Sequence, residues 1–420
     1  MSNVSSSNSQ GVRVPKLRFP GFEGEWRETS FSEMFSFLSN NTLSRAELSD
    51  KGTIKNIHYG DVLIKFGDVI DANSTSIPFV GSETALKKKT DYLQTGDVII
   101  ADTAEDDTVG KATEILNENH IPVVSGLHTI PCRPNLSFVS SYLGYYFNSK
   151  SFHEQLYPFM QGIKVTSISK ANLGKTLISY PEPTEQRKIS GLLNLITARI
   201  EKQRQLVDLL KSYKRGVSMA LFTQKLRLNK SCLPHNTEWS KKFLGDIFSE
   251  RTERAVGNER LLAVTINYGV QDRTELDLKD NSSDDKRNYR VVHIGDLAYN
   301  TMRMWQGACG VSVFDGIVSP AYTVLYVTDN TENYAPFWGY YFKETSMLQT
   351  FQRNSQGLTS DTWNLKYEKF AHISVYAPSF QEQVQIAEFL DHISDKIATN
   401  EDFLNTLVKY KRGLLSLLFI

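Results

Sequence analysis

Hydrophobic residues recur at alternating steps of four and three in two segments of this chain. The first series is Ile189, Leu193, Ile196, Ile200, Gln203, Val207 and Leu210. The second series is Ile386, Leu390, Ile393, Ile397, Asn400, Leu404 and Leu407. This spacing places the side chains on one face of a helix and is typical of a coiled-coil seam. We therefore predict two long helices, which lie within residues 181–226 and 378–420.

The second segment repeats the first. Residues 181–222 align with residues 378–419 without a gap, and both copies contain Glu-Gln near the start and Tyr-Lys-Arg-Gly near the end. An offset of roughly 200 residues exceeds the period of solenoid repeats, which is about 20–50 residues. We interpret the pattern as one globular-plus-helical unit that occurs twice, so we expect a molecule with pseudo-twofold symmetry.

Capping residues indicate where the two helices begin. Thr184 is expected to cap the first helix, and Ser379 precedes Glu382 in the S-x-x-E pattern of a capping box. Pro183 and Pro378 are expected to block extension toward the N-terminus.

One polar residue interrupts each seam at the same place. Gln203 and Asn400 lie near the midpoints of their helices. If the helices pair in antiparallel orientation, the midpoints meet, and the two amides would lie close together and help to fix the register. The alternative is that both amides face solvent on a frayed part of the seam.

The regions that precede the helices resemble each other more loosely. The matching pairs are Glu25-Trp26 with Glu238-Trp239, Gly96-Asp97 with Gly295-Asp296, Gly144-Tyr145-Tyr146-Phe147 with Gly339-Tyr340-Tyr341-Phe342, and Gln161-Gly162 with Gln356-Gly357. Short β-branched runs bounded by turn residues, at 97–100, 310–313 and 322–327, predict strands. Between these pairs the sequences diverge, so one scaffold would carry two different surfaces.

These patterns together predict the fold class and the domains. We expect an α+β protein in which two α/β domains are joined by two long helices that form an antiparallel coiled coil. The predicted divisions are a disordered tail at 1–14, a first domain at 15–180, a central helical region at 181–226, a second domain at 227–377 and a C-terminal helical region at 378–420.

Composition and charge restrict the function. The 47 basic and 47 acidic residues give a net charge of zero, which by itself is no signal for nucleic-acid binding. The first helical repeat carries eight basic and three acidic residues, whereas the second carries four and six, so the two suit each other as packing partners. No apolar run approaches the roughly 20 residues of a membrane span, and the Ser/Asn-rich start has no signal-peptide core. We expect a cytoplasmic protein with no membrane partner.

No residue constellation of an enzyme is evident. Residues 173–176 resemble the end of a phosphate-binding loop, but Ser169 stands where the leading glycine belongs. Neither a dinucleotide-type glycine fingerprint nor the Asn-Pro-Pro-aromatic motif of amino-methyltransferases is present. Cys132, Cys232 and Cys309 are far apart and predict buried thiols in a reducing compartment. We predict no catalytic residue, no metal site and no cofactor in this chain.

Polar and aromatic loops are better candidates for function. Arg303 and Gln306 follow a predicted strand, and their side chains can grip guanine and adenine edges in the major groove. The alternatives are core packing for Met304 and Trp305 and a surface ion pair for Arg303. The matching Gln-Gly loops supply hydroxyls and amides for phosphate or base contacts, and the run at 87–89 supplies lysines. The candidate DNA-contacting residues are Lys87, Lys88, Thr103, Lys111, His128, Gln161, Lys164, Thr166, Ser167, Arg287, Arg303, Trp305, Gln306, Ser319, Tyr322, Gln356, Thr359 and Ser360.

Taken together, these motifs resemble the specificity subunits of type I restriction–modification systems. The strongest carriers are the two Pro-x-x-x-Glu-Gln helix starts and the two Tyr-Lys-Arg-Gly helix ends; the opening segment 15–26 and the segments 302–307 and 316–322 also look like members of this family. The likeness extends over nearly the whole chain from Pro15 onward.

The resemblance implies a non-catalytic DNA reader. Family members read the two halves of a split, asymmetric target with two recognition domains, and their helices form an antiparallel coiled coil that sets the gap. Two methyltransferase subunits use S-adenosylmethionine to methylate adenine, and two ATP- and Mg-dependent restriction/translocase subunits complete the complex. The interface residues expected along the helices are Ile189, Leu193, Ile196, Ile200, Gln203, Ile386, Leu390, Ile393, Ile397 and Asn400. The rival hypotheses are a single-chain restriction–methylation enzyme and a coiled-coil scaffold without DNA affinity.

Overall fold

A computed structural model describes residues 13–82, 86, 90–106, 108–162, 165–228, 238–257, 259–276 and 285–420. Contacts divide the chain into two compact units. The first unit contains the chain up to Gln205 together with Asp402–Ile420, and the second unit contains Leu206–Glu401.

The first unit combines short strands with helices. Its strands are β1 (Arg27–Ser30), β2 (Phe35–Phe37), β3 (Leu48–Ser49), β4 (Lys55–Ile57), β5 (Val69–Asp71), β6 (Phe79–Val80), β7 (Val98–Ala101), β8 (Thr103–Ala104), β9 (Ala112–Leu116), β10 (Val123–Ser125), β11 (Thr129–Pro134), β12 (Thr166–Ser167) and β13 (Leu177–Tyr180). Its helices are α1 (Phe31–Met34), α2 (Tyr142–Phe147), α3 (Lys150–Leu156), α4 (Lys170–Leu173) and the first part of α5 (Pro183–Phe222).

The second unit has a similar series of elements. Its strands are β14 (Ser240–Phe243), β15 (Phe248–Glu250), β16 (Leu262–Thr265), β17 (Gly269–Asp272), β18 (Arg290–Val292), β19 (Leu297–Asn300), β20 (Cys309–Val311), β21 (Gly316–Val318), β22 (Tyr322–Val327) and β23 (Ser374–Ala377). Its helices are α6 (Leu244–Ile247), α7 (Ala335–Tyr341), α8 (Thr345–Asn354), α9 (Tyr367–Ala371) and α10 (Phe380–Leu418), whose last part belongs to the first unit.

The same antiparallel sheet lies at the centre of each unit. Its strand order is β2-β11-β7-β9 in the first unit and β15-β22-β19-β20 in the second. The predicted strands at 97–100, 310–313 and 322–327 coincide with β7, β20 and β22 within one or two residues. Around this sheet the units differ, because the first adds the parallel strand β5 and the sheet β10-β4-β6-β3, whereas the second adds the pairs β16-β17 and β18-β21.

The Glu-Gln pair at each helix start holds the helix on its unit. Glu185 is buried and accepts two hydrogen bonds of 2.8 Å from the Arg18 guanidinium. Glu382 accepts equivalent bonds of 3.1 and 2.9 Å from Arg227 in the second unit. These bidentate pairs neutralise both buried carboxylates, which would otherwise be costly to desolvate. The neighbouring glutamines donate back to the carbonyls of their own prolines: Gln186 to Pro181 at 2.9 Å and Gln383 to Pro378 at 3.1 Å.

The predicted caps are right for one helix and wrong for the other. Ser379 accepts from the Glu382 amide at 3.4 Å, as expected. Thr184 lies inside α5, which begins at Pro183, so Thr184 is not the cap. Proline fits the first position of a helix because the missing N–H has no partner there in any case.

Aromatic residues anchor the far end of each long helix. Phe419 packs edge-on against Tyr142 and Tyr146 in the first unit, with ring centroids 5.6 and 5.8 Å apart. Its counterpart Phe222 lies 5.1 Å from Tyr341 and 5.5 Å from Phe337 in the second unit. The repeated aromatic motifs of the sequence are therefore core contacts.

The lysine of each Tyr-Lys-Arg-Gly motif lies over a tyrosine ring. Lys411 is 5.2 Å from the ring centroid of Tyr145 and pairs with Asp68 in the first unit. Lys214 is 5.0 Å from Tyr340 in the second unit. Each unit is thus held by the start of one long helix and the end of the other.

The predicted seam positions are buried or partly buried. Ile189 and Leu193 belong to the hydrophobic core of the first unit, with Ile196 packed against it, and Ile200 is also buried. Their counterparts Ile386, Leu390, Ile393 and Ile397 belong to the core of the second unit.

The two polar residues of the seam differ in burial. Gln203 is buried, which contradicts the solvent-facing alternative at that position, and Asn400 is half-buried. That the two amides meet stays a prediction. Cys132 and Cys309 are buried thiols, as predicted, whereas Cys232 lies outside the described residues.

Candidate nucleic-acid interface

In each unit a Gly-Asp turn precedes a central strand, β7 or β19, and a candidate loop begins where that strand ends. Asp97, before β7, accepts from Arg133 at 2.8 and 2.7 Å, and Asp296, before β19, accepts from Arg251 at 2.6 and 2.9 Å. The two aspartates bind their own turns as well, so their role is structural. In each unit the loop after this strand meets the Gln-Gly loop.

The Gln-Gly loop turns sharply at its glycine in both units. Gly162 and Gly357 have φ values of +120° and +136°, which L side chains rarely adopt. A Cβ at Gly162 would lie 1.8 Å from the Val165 carbonyl oxygen, and one at Gly357 would lie 2.5 Å from that of Thr362. The repeated glycine is therefore a backbone requirement, whereas the residues beyond it differ between the units.

Five predicted residues of the first unit come together at this junction. The strands β8 and β12 pair Thr103 with Ser167, which is next to Thr166, and Gln161 bridges Ser167. The Thr103 hydroxyl lies 3.4 Å from Nδ1 of His128. His128 has φ of +53°, an uncommon conformation for a residue other than glycine, and its side chain is 46% exposed. An exposed imidazole beside hydroxyl and amide groups and the Asp102 carboxylate, which lies 3.4 Å from its Nδ1, offers donors and acceptors that suit contacts to base edges.

Residues that the sequence did not single out extend this surface. Tyr59 lies between two imidazoles, with ring centroids 5.2 Å from His128 and 4.6 Å from His58. Burial and the nearby Arg45 guanidinium lower the pKa of His58, which favours its neutral form. Arg45 in turn binds the buried Asp61 through two bonds of 2.6 and 2.7 Å. Only folding brings these residues together, since they lie up to 83 residues from Thr103 and His128 along the chain.

An open groove of about 760 Å³ continues from this ion pair. Lys55 and Lys65 line it, together with hydroxyl groups at 49 and 74–76. Both lysines donate to backbone carbonyls, of Ala72 and Ser76, and each ammonium group keeps further N–H donors.

The second unit builds its site from different side chains. Leu365 donates to the Thr301 carbonyl at 2.9 Å, which joins the segment after the Gln-Gly loop to the loop that carries Arg303 and Gln306. Trp305 packs edge-on against Trp363, with centroids 5.0 Å apart. The side chain of Arg303 makes no hydrogen bond or ion pair with any residue that the structure describes. It is therefore available to a ligand.

The other predicted residues of the second unit adjoin this loop. Thr301 donates to the Ala321 carbonyl at 3.1 Å, which brings Ser319 and Tyr322 to the same edge of the sheet. Gln356, Thr359 and Ser360 lie exposed on the Gln-Gly loop. Met304 is fully buried, as the core-packing alternative has it, whereas Trp305 is half-buried.

Several predicted residues are not brought to these junctions. Lys111 is half-buried, and its ammonium donates to the Leu63 carbonyl at 2.7 Å; burial lowers its pKa. Arg287 binds Asp285 at 2.8 Å and lowers the pKa of that carboxyl to about 2. Lys87, Lys88 and Lys164 lie outside the described residues.

The Tyr-Lys-Arg-Gly motifs form a second candidate surface. Tyr213 and Tyr410 are 53% and 58% exposed, and Arg215 and Arg412 are also exposed. A Cβ added at either glycine of the motif would meet no atom within 4 Å. Within the described residues only the lysine has a packing role, so three of the four repeated residues have no reason inside the chain to be repeated.

Two further findings concern the described residues as a whole. None of their His, Cys, Asp and Glu side chains form a group that could hold a metal ion. None of their helices combines the length and hydropathy needed to cross a membrane.

Comparisons with known proteins find likenesses to one kind of protein. Residues 236–409 match the family model described as type I restriction modification DNA specificity domain. The S subunit of a type I restriction–modification system from M. genitalium is 15% identical, with a TM-score of 0.56 over 97% of this chain and 99% of that chain. A structure titled for complex assembly and conformational transition of the type I R-M system is 14% identical, with a TM-score of 0.53 over 93% and 96%.

The HsdS subunit from Thermoanaerobacter tengcongensis is 15% identical, with a TM-score of 0.46 over 96% of this chain and 97% of that chain. A comparison with curated proteins gives no match. The predicted resemblance to type I specificity subunits is confirmed, and so is a mixed α/β fold with long helices.

Proposed function

We propose that this chain is the sequence-recognition subunit of a type I restriction–modification complex. Each unit reads one half of a bipartite, asymmetric DNA target, and the long helices set the gap between the halves. The chain itself is non-catalytic. Two methyltransferase subunits use S-adenosylmethionine to methylate adenine, and two restriction/translocase subunits depend on ATP and Mg. The complex acts in the cytoplasm.

The observation that carries this proposal is the same pair of loops in both units with different side chains. The Gln-Gly loop meets the loop after the Gly-Asp strand through the bond from Ile168 to the Asp102 carbonyl in the first unit and from Leu365 to the Thr301 carbonyl in the second, both 2.9 Å. The first unit presents histidine and hydroxyl groups there, and the second presents arginine, glutamine and tryptophan. Equivalent positions with unlike donors suit two different half-sites.

The free donors in the second unit favour direct readout of bases. Arg303 can bind O6 and N7 of guanine and Gln306 can bind N6 and N7 of adenine, each pair being worth about 1–3 kcal/mol of discrimination. We therefore expect Arg303→Ala to weaken binding to the correct second half-site by about 5- to 150-fold and to leave the first half-site unaffected.

Contacts between the long helices support a coiled coil that spaces the half-sites. In the second unit Lys211 binds Glu401 at 2.6 Å and Lys214 binds Ser394 at 2.6 Å, so residue numbers rise along one helix as they fall along the other. In the first unit Arg199 lies over Phe403 at 5.6 Å. A helix of 40 residues is about 60 Å long, enough to place two reading domains roughly one DNA turn apart.

The exposed Tyr-x-Arg-Gly residues support docking of the methyltransferase subunits. Tyrosine and arginine are enriched at protein interfaces and among their hot spots. Since one such surface ends each helix, two equivalent docking sites agree with two methyltransferase subunits. Tyr213→Ala and Tyr410→Ala should each lower the amount of methyltransferase bound, whereas Leu195→Ala, an exposed helix residue outside the motif, should not.

The experiment is methylation mapping in a host that carries this chain with its methyltransferase subunits. We expect one bipartite adenine-methylation motif, which Arg303→Ala relaxes at one half-site only and Arg353→Ala, an exposed arginine on α8, leaves intact. Methylation without a bipartite motif would refute the proposal. Binding of S-adenosylmethionine to the isolated chain would instead favour a single-chain enzyme.

The spacing function needs its own test. Inserting four residues after Gln203 lengthens the coil by about 6 Å and should change the permitted gap while both half-sites stay the same. An unchanged gap would mean that the helices do not set the spacing between the half-sites.

A further inference from the structure

Leu358 is an apolar residue whose side chain is fully exposed. It follows Gln356-Gly357 at the tip of the Gln-Gly loop of the second unit, and it is 101% exposed. Single exposed hydrophobic residues are common and need no explanation by themselves. Val256 in the same unit is 92% exposed, for example. What distinguishes Leu358 is the loop that carries it.

This loop is closed on itself by hydrogen bonds at its base and near its tip. Gln356 and Asn364 exchange backbone bonds of 2.9 and 2.8 Å. The Thr362 hydroxyl accepts from the Thr359 amide at 3.1 Å and donates to the Thr359 carbonyl at 3.0 Å. With Gly357 fixed at a positive φ, the backbone that presents Leu358 is well defined, so little conformational entropy would be lost when the side chain is buried by a ligand.

The loop lies beside the side-chain donors of Arg303 and Gln306. Trp363, within the loop, packs on Trp305, which is next to Gln306 and two residues from Arg303. Leu358 therefore belongs to the loop that adjoins the donors proposed to contact DNA. An apolar side chain gains nothing from phosphates or from the hydrogen-bonding groups of the bases. On DNA it can contact a thymine methyl group or be buried between stacked base pairs, and only burial unstacks the bases.

We infer that Leu358 is a wedge that enters a base step of the second half-site and partly unstacks it. Leucine is among the side chains that proteins insert in this way, and the neighbouring bonds to base edges offset the cost of unstacking. Since base steps differ in how easily they open, the wedge adds selectivity at a step where no hydrogen bond reads the base. The inference rests on the proposed function, because it requires DNA at this surface.

Fluorescence of 2-aminopurine tests the wedge, because this base brightens when it is unstacked. The assay uses the complete methyltransferase complex and duplexes that carry the mapped target, with 2-aminopurine placed at successive positions of the second half-site. With the wild-type chain and with Leu358→Met, we expect a several-fold rise at one step on binding. With Leu358→Ala and Leu358→Asn the rise should disappear and affinity should fall about tenfold. Val256→Ala, the matched exposed residue, should behave as wild type.

The outcomes separate this inference from the proposed function. If the wild-type complex does not prefer the mapped target over a scrambled duplex, the proposed function fails. If it prefers the target and no position brightens, or if Leu358→Ala retains both the rise and the affinity, the wedge alone is refuted.

Discussion

Replacement of Phe419 by alanine should loosen the end of α10 from the first unit. Phe419 is 2% exposed and packs against three aromatic rings, those of Tyr142 and Tyr146 and that of Trp26 at 6.4 Å. All three contacts are edge-on or close to it, the geometry in which aromatic pairs add to simple burial.

The expected magnitude follows from these contacts. A buried Phe→Ala change costs about 3–5 kcal/mol, and a site surrounded by rigid rings collapses poorly, so we expect about 4–5 kcal/mol for Phe419. For a unit of roughly 200 residues, each kcal/mol lowers the melting temperature by about 2–4 °C. The first unit should therefore melt roughly 10 °C or more below its wild-type temperature.

Two variants provide matched controls. Phe222→Ala removes the equivalent ring from the second unit, where it is 8% exposed and has two aromatic neighbours, so its loss should cost slightly less and fall on the other unit. Leu417→Ala removes a 39% exposed side chain two residues from Phe419 and should change stability by less than about 1 kcal/mol.

Calorimetry of the full chain measures the transitions, and limited proteolysis with peptide mapping assigns each loss to a unit. A shift below about 1 kcal/mol for Phe419→Ala would refute the reasoning that the terminal phenylalanine anchors the helix. So would equal cleavage of both units in both phenylalanine variants, because each ring would then not belong to one unit.

Two further perturbations probe buried charge in the first unit. Burial raises the pKa of Glu114 from 4.5 to about 7. The stability that its protonated carboxyl contributes is therefore present below pH 4.5 and is lost as pH rises to 7. Glu114→Gln should remove this pH dependence, which amounts to about 3 kcal/mol in urea titrations across that range. A flat difference between the wild type and the variant over the same range would contradict it. Arg18→Ala leaves the Glu185 carboxylate buried without its partner and should cost about 3–5 kcal/mol, whereas the double change Arg18→Met with Glu185→Met should restore most of the loss. Equal losses in the single and double variants, measured by the same titration, would show that the ion pair is not the cause.

The long helices could be predicted from sequence because two independent signals agree there. The heptad pattern defines a buried face, and the in-register repeat defines the limits, which the structure shifts by only a few residues. The cap of the first helix was the exception. Thr184 looks like a cap, but proline at 183 is accommodated at the first helical position, so the helix starts two residues earlier than a cap at Thr184 would have it.

The repeated motifs were visible in the sequence, but their roles were not. Nothing in Glu-Gln indicates that the glutamate would find Arg18 or Arg227, because those partners lie more than 150 residues away along the chain. One signal was available: Lys16-Leu17-Arg18 recurs as Lys225-Leu226-Arg227, and this short match marks both arginines.

The candidate site, too, could be predicted only in part. Residue chemistry found Arg303, Gln306 and the Gln-Gly loops, since few side chains can contact base edges with two hydrogen bonds. It could not find Tyr59 or the backbone conformation of His128, which depend on contacts across the fold. Lys111 was chosen for its charge, whereas in the structure it is half-buried and its ammonium donates to the Leu63 carbonyl; its contact with DNA stays a prediction.

This difference follows from how the scaffold separates buried contacts from exposed loops. The contacts that hold each long helix use the same residue types in both units, because they are buried and must be satisfied. The loops that face outward share the Gln-Gly pair but differ in most of the residues that follow it, and their backbone bonds close within the loop itself. Side chains on such loops can change without disturbing the core, so two copies of one fold can acquire different surfaces while the helices that join them stay alike. Repetition therefore predicts what holds the fold, and divergence between the copies marks the surfaces where we propose that the protein contacts DNA.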